Sequence, residues 1–165
     1  MYLKDFFEKY IKNTPEKALV PDQKTSFSSV THAVSKEIGI DYAFKKVYIN
    51  TRCVKHLFDK KPAEEFLFLV NHLYKIVKYP DYIYKNANGK RGEFCLVKQI
   101  GGDYYLCSIE VISFDDFSEE KELQVATAFR VRSKNYLNKE KYTLLWTWGN
   151  DNPHRSALDA SEEVY

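Results

Sequence analysis

The chain has 165 residues, of which 44% are hydrophobic and 16% aromatic, a composition that can bury a full core and excludes disorder of the whole chain. No apolar run approaches the roughly 20 residues of a membrane span, and the first residues lack the features of a signal peptide. We therefore expect a cytoplasmic protein without a membrane partner. Its three cysteines, Cys53, Cys95 and Cys107, have no C-x-x-C spacing and are expected to be buried, reduced thiols.

The formal net charge is only +2, but the two signs are segregated along the chain. Residues 45–98 carry twelve basic against five acidic side chains, residues 99–123 carry one against seven, and residues 124–148 carry five against one. A fold that joins the two basic segments would present a positive face, which concentrates polyanions such as RNA. The alternative is an ordinary surface of mixed charge.

The first part of the chain is predicted to be helical. Apolar residues at helical spacing indicate a helix from about Leu3 to Ile11 and a second one from about Ser28 to Ile38. Residues 1–44 would then form a helical appendage, residues 45–150 the core of the domain, and residues 151–165, which are polar, a tail.

Within the core, "KKVYIN" predicts a strand, and a helix is bounded by Pro62 and Pro80. The expected buried stripe of this helix is Phe66, Leu67, Val70, Leu73 and Val77. Two strands should flank a tight turn at Gly101 and Gly102, and two more should follow, separated by a helical turn at 134–138. The order predicts an α+β fold, in which N-terminal helices are followed by an antiparallel β-meander.

Two polar residues interrupt the apolar faces of predicted strands. Lys98 alternates with Phe94, Leu96 and Ile100, and Thr127 alternates with the apolar residues of its own strand. If both strands turn the same face inward, an ammonium and a hydroxyl would share one mostly apolar site, as in many active sites. The alternatives are that Lys98 prevents another strand from pairing with an edge strand, and that Thr127 is present only because threonine favours β-structure.

His56 is expected on the exposed side of a short helix. At about 100° per residue, Arg52, His56 and Lys60 lie on one face, opposite the apolar arc. A histidine there can accept or donate a proton near neutral pH. The alternative is a histidine on a solvated basic surface. No H-x-x-x-H or Cys/His cluster is present in the sequence, so no metal and no cofactor is expected.

Three segments together resemble a known group of nucleases. They are "VYINTRCVKHLFDKK", "IVKYPDYIYKNANGKRGEFCLVKQIGG" and "QVATAFRVRSKNYLNKEKYTLLW". Their order is similar to that of the phage-associated nuclease domains grouped with barnase, EndoU, the tRNA-cutting colicins and RelE. The matching positions are His56, Pro80 to Ile83, Lys98, and Thr127 to Phe129, within residues 46–148. The chain departs from the family pattern after His56, where "FDKK" stands in place of a second histidine or basic position.

The resemblance implies a barnase/RelE-like fold, with helices packed on one face of the sheet and metal-independent RNA cleavage in its concave face. On the residues themselves, we expect His56 to act as general base or acid, Lys98 to stabilise the charge on the phosphate, and Thr127 to bind the phosphate or orient the substrate. Glu110 is the reserve general base. Candidates for phosphate contacts are Arg52, Arg91 and Arg130.

The expected activity is an endoribonuclease, toxin-like or phage-associated, that acts on RNA such as tRNA by attack of a 2′-OH. Its partners would be RNA and a protein inhibitor or immunity protein. Two alternatives stay open: a non-catalytic RNA- or protein-binding module with the same fold, and a phage protein whose N-terminal helices mediate assembly.

Overall fold

The computed structural model describes residues 1–87, 92–133, 136–137 and 141–147. The elements, in chain order, are α1 (Leu3–Tyr10), β1 (Lys24–Ser29), α2 (His32–Glu37), a 3-10 turn (Tyr42–Phe44), β2 (Lys46–Asn50), α3 (Thr51–Lys60), α4 (Ala63–Lys78), β3 (Tyr82–Asn86), β4 (Phe94–Ile100), β5 (Asp103–Ser113), β6 (Lys121–Arg130) and β7 (Tyr142–Thr147). The predicted α+β class is confirmed.

One mixed sheet contains all seven described strands, in the order β1-β2-β6-β5-β4-β3-β7. Strands β3 to β6 pair with their chain neighbours in antiparallel fashion, and β4 to β6 are three of the four strands of the predicted meander. The fourth, β7, lies next to β3 rather than next to β6. The short pairing of β2 with β6 is parallel, and β7 returns to pair with β3. Between β4 and β5, Gly101 and Gly102 have φ of +61° and +93°, as a two-residue hairpin turn requires.

Helix α4 begins and ends as the sequence predicts. Pro62 precedes it, two glutamates lie in its first turn and two lysines in its last turn, where they complement the helix dipole. Its buried residues are Phe66, Leu69, Val70, Leu73, Ile76 and Val77. The expected stripe was wrong at Leu67, which is 53% exposed.

The helices pack on one face of the sheet, which we call the helical face. Its strand residues, among them Ile83, Leu96 and Cys107, join the buried residues of α1, α3 and α4 in the main core. The other face, which we call the opposite face, has a smaller cluster around Tyr82, Val97 and Leu106.

Two strands were not foreseen. Residues 24–29 pair as β1 with β2 instead of leading into a helix, so the second helix begins at His32 rather than near Ser28. Strand β3 was not predicted as a strand either. The helical turn expected at 134–138 falls mostly outside the described residues, and the tail at 151–165 lies wholly outside them. None of the helices described is long and apolar enough to cross a membrane.

Candidate functional site

A β-bulge in β6 determines which way Thr127 faces. Ser108 pairs with Thr127 and Ile109 pairs with Val125, so Ala126 is the extra residue. The bulge reverses the alternation, and Thr127 lies on the opposite face although Val125 lies in the main core. The expectation that Thr127 shares a face with Val125 was therefore wrong.

Lys98 lies on the helical face, away from Thr127. It pairs with Tyr105, whose ring stacks on Phe68 of α4 at a centroid distance of 4.5 Å. Its ammonium donates a hydrogen bond of 2.8 Å to the carbonyl oxygen of Tyr79 and lies 3.8 Å from Asp81 Oδ1. Lys98 and Thr127 are thus separated by the sheet, and the expected single site containing both is not formed.

The opposite face carries a group of polar side chains around Thr127. Ser108 is its cross-strand partner, and Glu110 follows on the same face of β5, paired with Gln124. Ser108 is 2% exposed, and its hydroxyl has no hydrogen-bond partner among the residues that the structure describes. Glu110 is exposed. We call Ser108, Glu110, Gln124 and Thr127 the polar patch.

The sequence interpretation missed Ser108. The available signal was its position in the strand. Along one face of β5, Ser108 stands between the apolar Leu106 and the charged Glu110. A small hydroxyl residue is common in strands, so this spacing did not distinguish it.

Helix α3 packs into the main core and runs along the edge of β6, the strand that contains Gln124 and Thr127. Strand β2 ends at Asn50, whose side chain accepts the Cys53 amide at 2.8 Å and so caps α3, as predicted. The pairing of β2 with β6 ends at Gln124, and from there α3 lies along the edge of β6. Cys53 Sγ is 3.8 Å from the carbonyl oxygen of Ala126, and Lys61 Nζ is 5.3 Å from the centre of the Phe129 ring. Helix α3 therefore runs beside residues 126–129.

His56 lies on α3 between those two contacts. Arg52, His56 and Lys60 are exposed, while Val54 and Leu57 are buried, as the helical spacing predicts. The exposed face of α3 thus carries an imidazole and two cations, on the helix whose Cys53 contacts Ala126 of β6.

Glu110 lies within electrostatic reach of α3. The pKa of the Cys53 thiol is raised to about 12, mainly by burial and further by the negative charge of Glu110. Burial also raises the pKa of Cys95 to about 12, and it raises that of Cys107. All three thiols are free, as expected, and stay protonated at neutral pH; Cys95 and Cys107 are buried as expected, whereas Cys53 is half-buried.

Of the three arginines expected at phosphate, Arg52 is on the exposed face of α3. Arg130 is not in the polar patch, because it pairs with Tyr105 and faces the helical side, where its Nη1 is 3.7 Å from Asp103. Arg91 lies outside the described residues. Gly92, the next residue, lies against Ser108 and Ile109 of β5.

Glu65 of α4 fixes the end of β6. Its Oε1 accepts the Arg130 amide at 3.0 Å and forms an ion pair of 3.0 Å with Arg132. Burial alone would raise the pKa of Glu65, but these two hydrogen bonds and the nearby cations outweigh burial and lower it. Glu65 thus remains charged and holds the strand against the helix.

No group of three or more His, Cys, Asp or Glu residues within 1–87, 92–133, 136–137 and 141–147 is arranged to hold a metal ion. The polar patch and α3 offer a different set of groups: a carboxylate, an imidazole, two hydroxyls and a guanidinium.

The family model described as phage-Barnase-EndoU-ColicinE5/D-RelE like nuclease3 (PBECR3) matches residues 27–138, more than half of the chain. The resemblance of the chain to this group is thereby confirmed. No curated protein and no solved structure matches the chain.

Proposed function

The chain belongs to the phage-Barnase-EndoU-ColicinE5/D-RelE like nuclease family, and we propose that it is an endoribonuclease that cuts RNA at the polar patch of the opposite face. The observation that carries this proposal is the pairing of Ser108 with Thr127 next to the bulge, beside the helix that presents His56. In this site the exposed His56 imidazole of α3 would complete a set that also contains the two hydroxyls and the Glu110 carboxylate.

The reaction that suits these groups is attack of a ribose 2′-OH on the neighbouring phosphorus. A base removes the 2′-OH proton, the new O–P bond closes a 2′,3′-cyclic phosphate, and the P–O bond to the 5′-oxygen breaks as an acid protonates that oxygen. We assign the base to Glu110 and the acid to His56. The Thr127 hydroxyl would donate a hydrogen bond to a phosphate oxygen.

The charge that gathers on the phosphate oxygens needs a cation. Arg52 is the best candidate, because it is exposed on the same face of α3 as His56 and a guanidinium can bind two phosphate oxygens. Lys98 cannot serve the same phosphate from the other side of the sheet. Arg52 therefore takes over the stabilising role first expected of Lys98.

The decisive experiment is cleavage of total tRNA and of a short single-stranded RNA in the presence of EDTA, with the fragment ends mapped. The variants are His56→Ala, Glu110→Gln and Thr127→Val. Matched controls are exposed residues of the same type on other elements: His32→Ala, Glu37→Gln and Thr143→Val. Folding of each variant is checked by its circular dichroism spectrum and thermal unfolding.

We expect wild-type protein to leave 2′,3′-cyclic phosphate ends. The rate should fall at least about 100-fold in His56→Ala and Glu110→Gln, which is the usual contribution of a general acid or base, and stay near wild type in the controls. RNA that stays intact in EDTA and also with added Mg²⁺ or Mn²⁺, while still binding the protein in low salt, would favour a binding module instead. Cleavage at full rate in all three variants would mean that the site lies elsewhere.

A further inference from the structure

A cavity of about 460 Å³ lies on the helical face, remote from the polar patch. It is open to solvent on one side and is bordered by the start of α2, the end of α4 with the segment that follows it, strand β4 and strand β7. The side chains that give it chemical character are Val34, Lys78, Tyr79, Asp81, Lys98 and Trp146. Its volume falls within the range of roughly 300–1,000 Å³ that is typical of small-ligand sites.

Lys98 brings into this cavity an ammonium that makes one hydrogen bond to the residues that the structure describes. Of its three N–H donors, one is used by the Tyr79 carbonyl oxygen at 2.8 Å. Asp81 Oδ1, at 3.8 Å, is beyond hydrogen-bonding distance, and Asp81 Oδ2 accepts the Gln99 amide at 2.8 Å. The Lys98 side chain is 22% exposed, so a ligand in the cavity can reach it.

The charges on the cavity walls fit an anion that carries a single negative charge. Lys78 and Lys98 contribute two positive charges and Asp81 one negative charge, which leaves a net charge of +1. A phosphodiester group of RNA carries one negative charge, so it matches this balance.

Two aromatic side chains line the cavity, and a nucleotide base can stack on such rings. Trp146 is half-buried and packs against the main core, so its indole is held in place where it lines the cavity. Tyr79 lines the same cavity and is exposed. Fixed aromatic rings beside a cation are how proteins bind unpaired bases, which stack while the backbone phosphate is held electrostatically.

We propose that this cavity binds one nucleotide unit of a single-stranded RNA, with its base against Trp146 and its phosphate on the Lys98 ammonium. The choice of RNA rests on the proposed function, but the cavity is on the other side of the sheet from Thr127 and is separate from the cleavage site. It would hold a second part of the strand and so add to affinity for unpaired RNA.

Trp146 fluorescence gives a direct measurement of binding. Trp148→Phe leaves Trp146 as the only tryptophan, and His56→Ala in the same protein keeps the RNA intact. This double variant is titrated with a short single-stranded oligoadenylate, with adenosine 5′-monophosphate and with uncharged adenosine. Each titration is repeated with Lys98→Gln, with Ala33→Phe, which fills the cavity without altering Lys98, and with Lys75→Gln, an exposed lysine of α4, as the control.

We expect the oligoadenylate to quench Trp146 with a saturable curve. Lys98→Gln should weaken its binding about tenfold, the effect of losing a hydrogen bond to a charged group, and Ala33→Phe should abolish the quench while Lys75→Gln retains it. Saturable, Lys98-dependent quenching by adenosine 5′-monophosphate as well would extend the site to free nucleotides. The proposal would be overturned if neither the oligoadenylate nor adenosine 5′-monophosphate quenched Trp146. It would also be overturned if the quenching were unchanged in both Lys98→Gln and Ala33→Phe.

The result is independent of the cleavage test. If wild-type protein proves unable to cut RNA while the Lys98-dependent quench is present, the proposed nuclease reaction fails and the nucleotide site stands. If RNA is cut but Trp146 fluorescence does not respond, the nuclease reaction stands and the nucleotide site fails.

Discussion

Ser108 of β5 and Thr127 of β6 are directly paired, and Ala126, the residue before Thr127, is the extra residue of the bulge. The Ser108 hydroxyl is buried without a hydrogen-bond partner in the described part of the chain, which costs stability in the free protein. Ser108→Ala should therefore leave the free energy of unfolding unchanged or raise it by up to about 1 kcal/mol. Urea unfolding measures the change.

Ser35 provides the matched control for this prediction. It is also a buried serine, but its hydroxyl donates a hydrogen bond of 2.8 Å to the His32 carbonyl oxygen. Ser35→Ala should lower the free energy of unfolding by about 1 kcal/mol. An equal loss in Ser108→Ala would show that the Ser108 hydroxyl makes a hydrogen bond in the folded protein.

Gly92 is predicted to tolerate no side chain. Its φ is +96°, and a Cβ at this position would lie 2.9 Å from the Ile109 carbonyl oxygen and 3.1 Å from Ser108 Cβ. Gly92→Ala should lower the free energy of unfolding by about 2–3 kcal/mol and shift β5 at the polar patch. The control is Gly101→Ala, at φ +61° with no atom within 4 Å, which should cost about 1 kcal/mol. If urea unfolding shows equal losses of unfolding free energy in Gly92→Ala and Gly101→Ala, the close approach of Gly92 to β5 is contradicted.

The sequence predicted the direction of some side chains correctly because a regular element carries its own period. The alternation of Phe94, Leu96 and Lys98 places Lys98 on the helical face, and the helical period places His56 on the exposed side of α3. Thr127 was misplaced, because one extra residue reverses a strand's alternation and nothing in "QVATAF" distinguishes a bulged alanine from a paired one.

Strand β1 illustrates a second limit. Its sequence, "KTSFSS", has one apolar residue and therefore no alternating pattern that could identify it, and its strand structure comes from pairing with β2. The positions of α3 beside β6 and of Lys98 in a cavity also depend on contacts distant in sequence. Sequence patterns could thus identify His56, Lys98 and Thr127 as candidates, but they could not predict which of these residues lie together in the fold.

Helix α4 provides a direct test of the burial pattern. Leu69 is 1% exposed, whereas Leu67, two residues earlier, is largely in solvent. Leu69→Ala should lower the free energy of unfolding by about 3 kcal/mol, because it leaves a cavity in the main core, and Leu67→Ala by no more than about 0.5 kcal/mol. Similar losses in the two variants would mean that α4 is rotated about its axis relative to this structure.

Lys55 is predicted to anchor α3 to the segment that follows α1. Its buried ammonium donates to Thr14 Oγ1, the Pro15 carbonyl oxygen and Asp59 Oδ1 at 2.9, 2.6 and 2.8 Å. Lys55→Met should lower the free energy of unfolding by about 3 kcal/mol, because it leaves the Asp59 carboxylate, whose side chain is only 9% exposed, without its cation. The exposed Lys60 of the same helix is the control, and Lys60→Met should change stability by less than about 0.5 kcal/mol. A small effect in both variants would mean that Lys55 is not held in this pair.

The same ion pair predicts a loss of stability in acid. Burial alone would raise the pKa of Asp59, but hydrogen bonds from Lys55 and from the Lys17 amide, with the charges of Lys55 and Lys60, lower it below its ordinary value of 3.8. A pKa that is lower in the folded state adds stability at pH values above 3.8, and this contribution is lost as the pH falls through the folded-state value. Urea unfolding from neutral to acid pH should therefore show a smaller acid loss in Asp59→Asn than in wild type, while Asp22→Asn, at an exposed carboxylate, follows wild type. Parallel curves for wild type and Asp59→Asn would mean that Asp59 has the same pKa in the folded and unfolded chain.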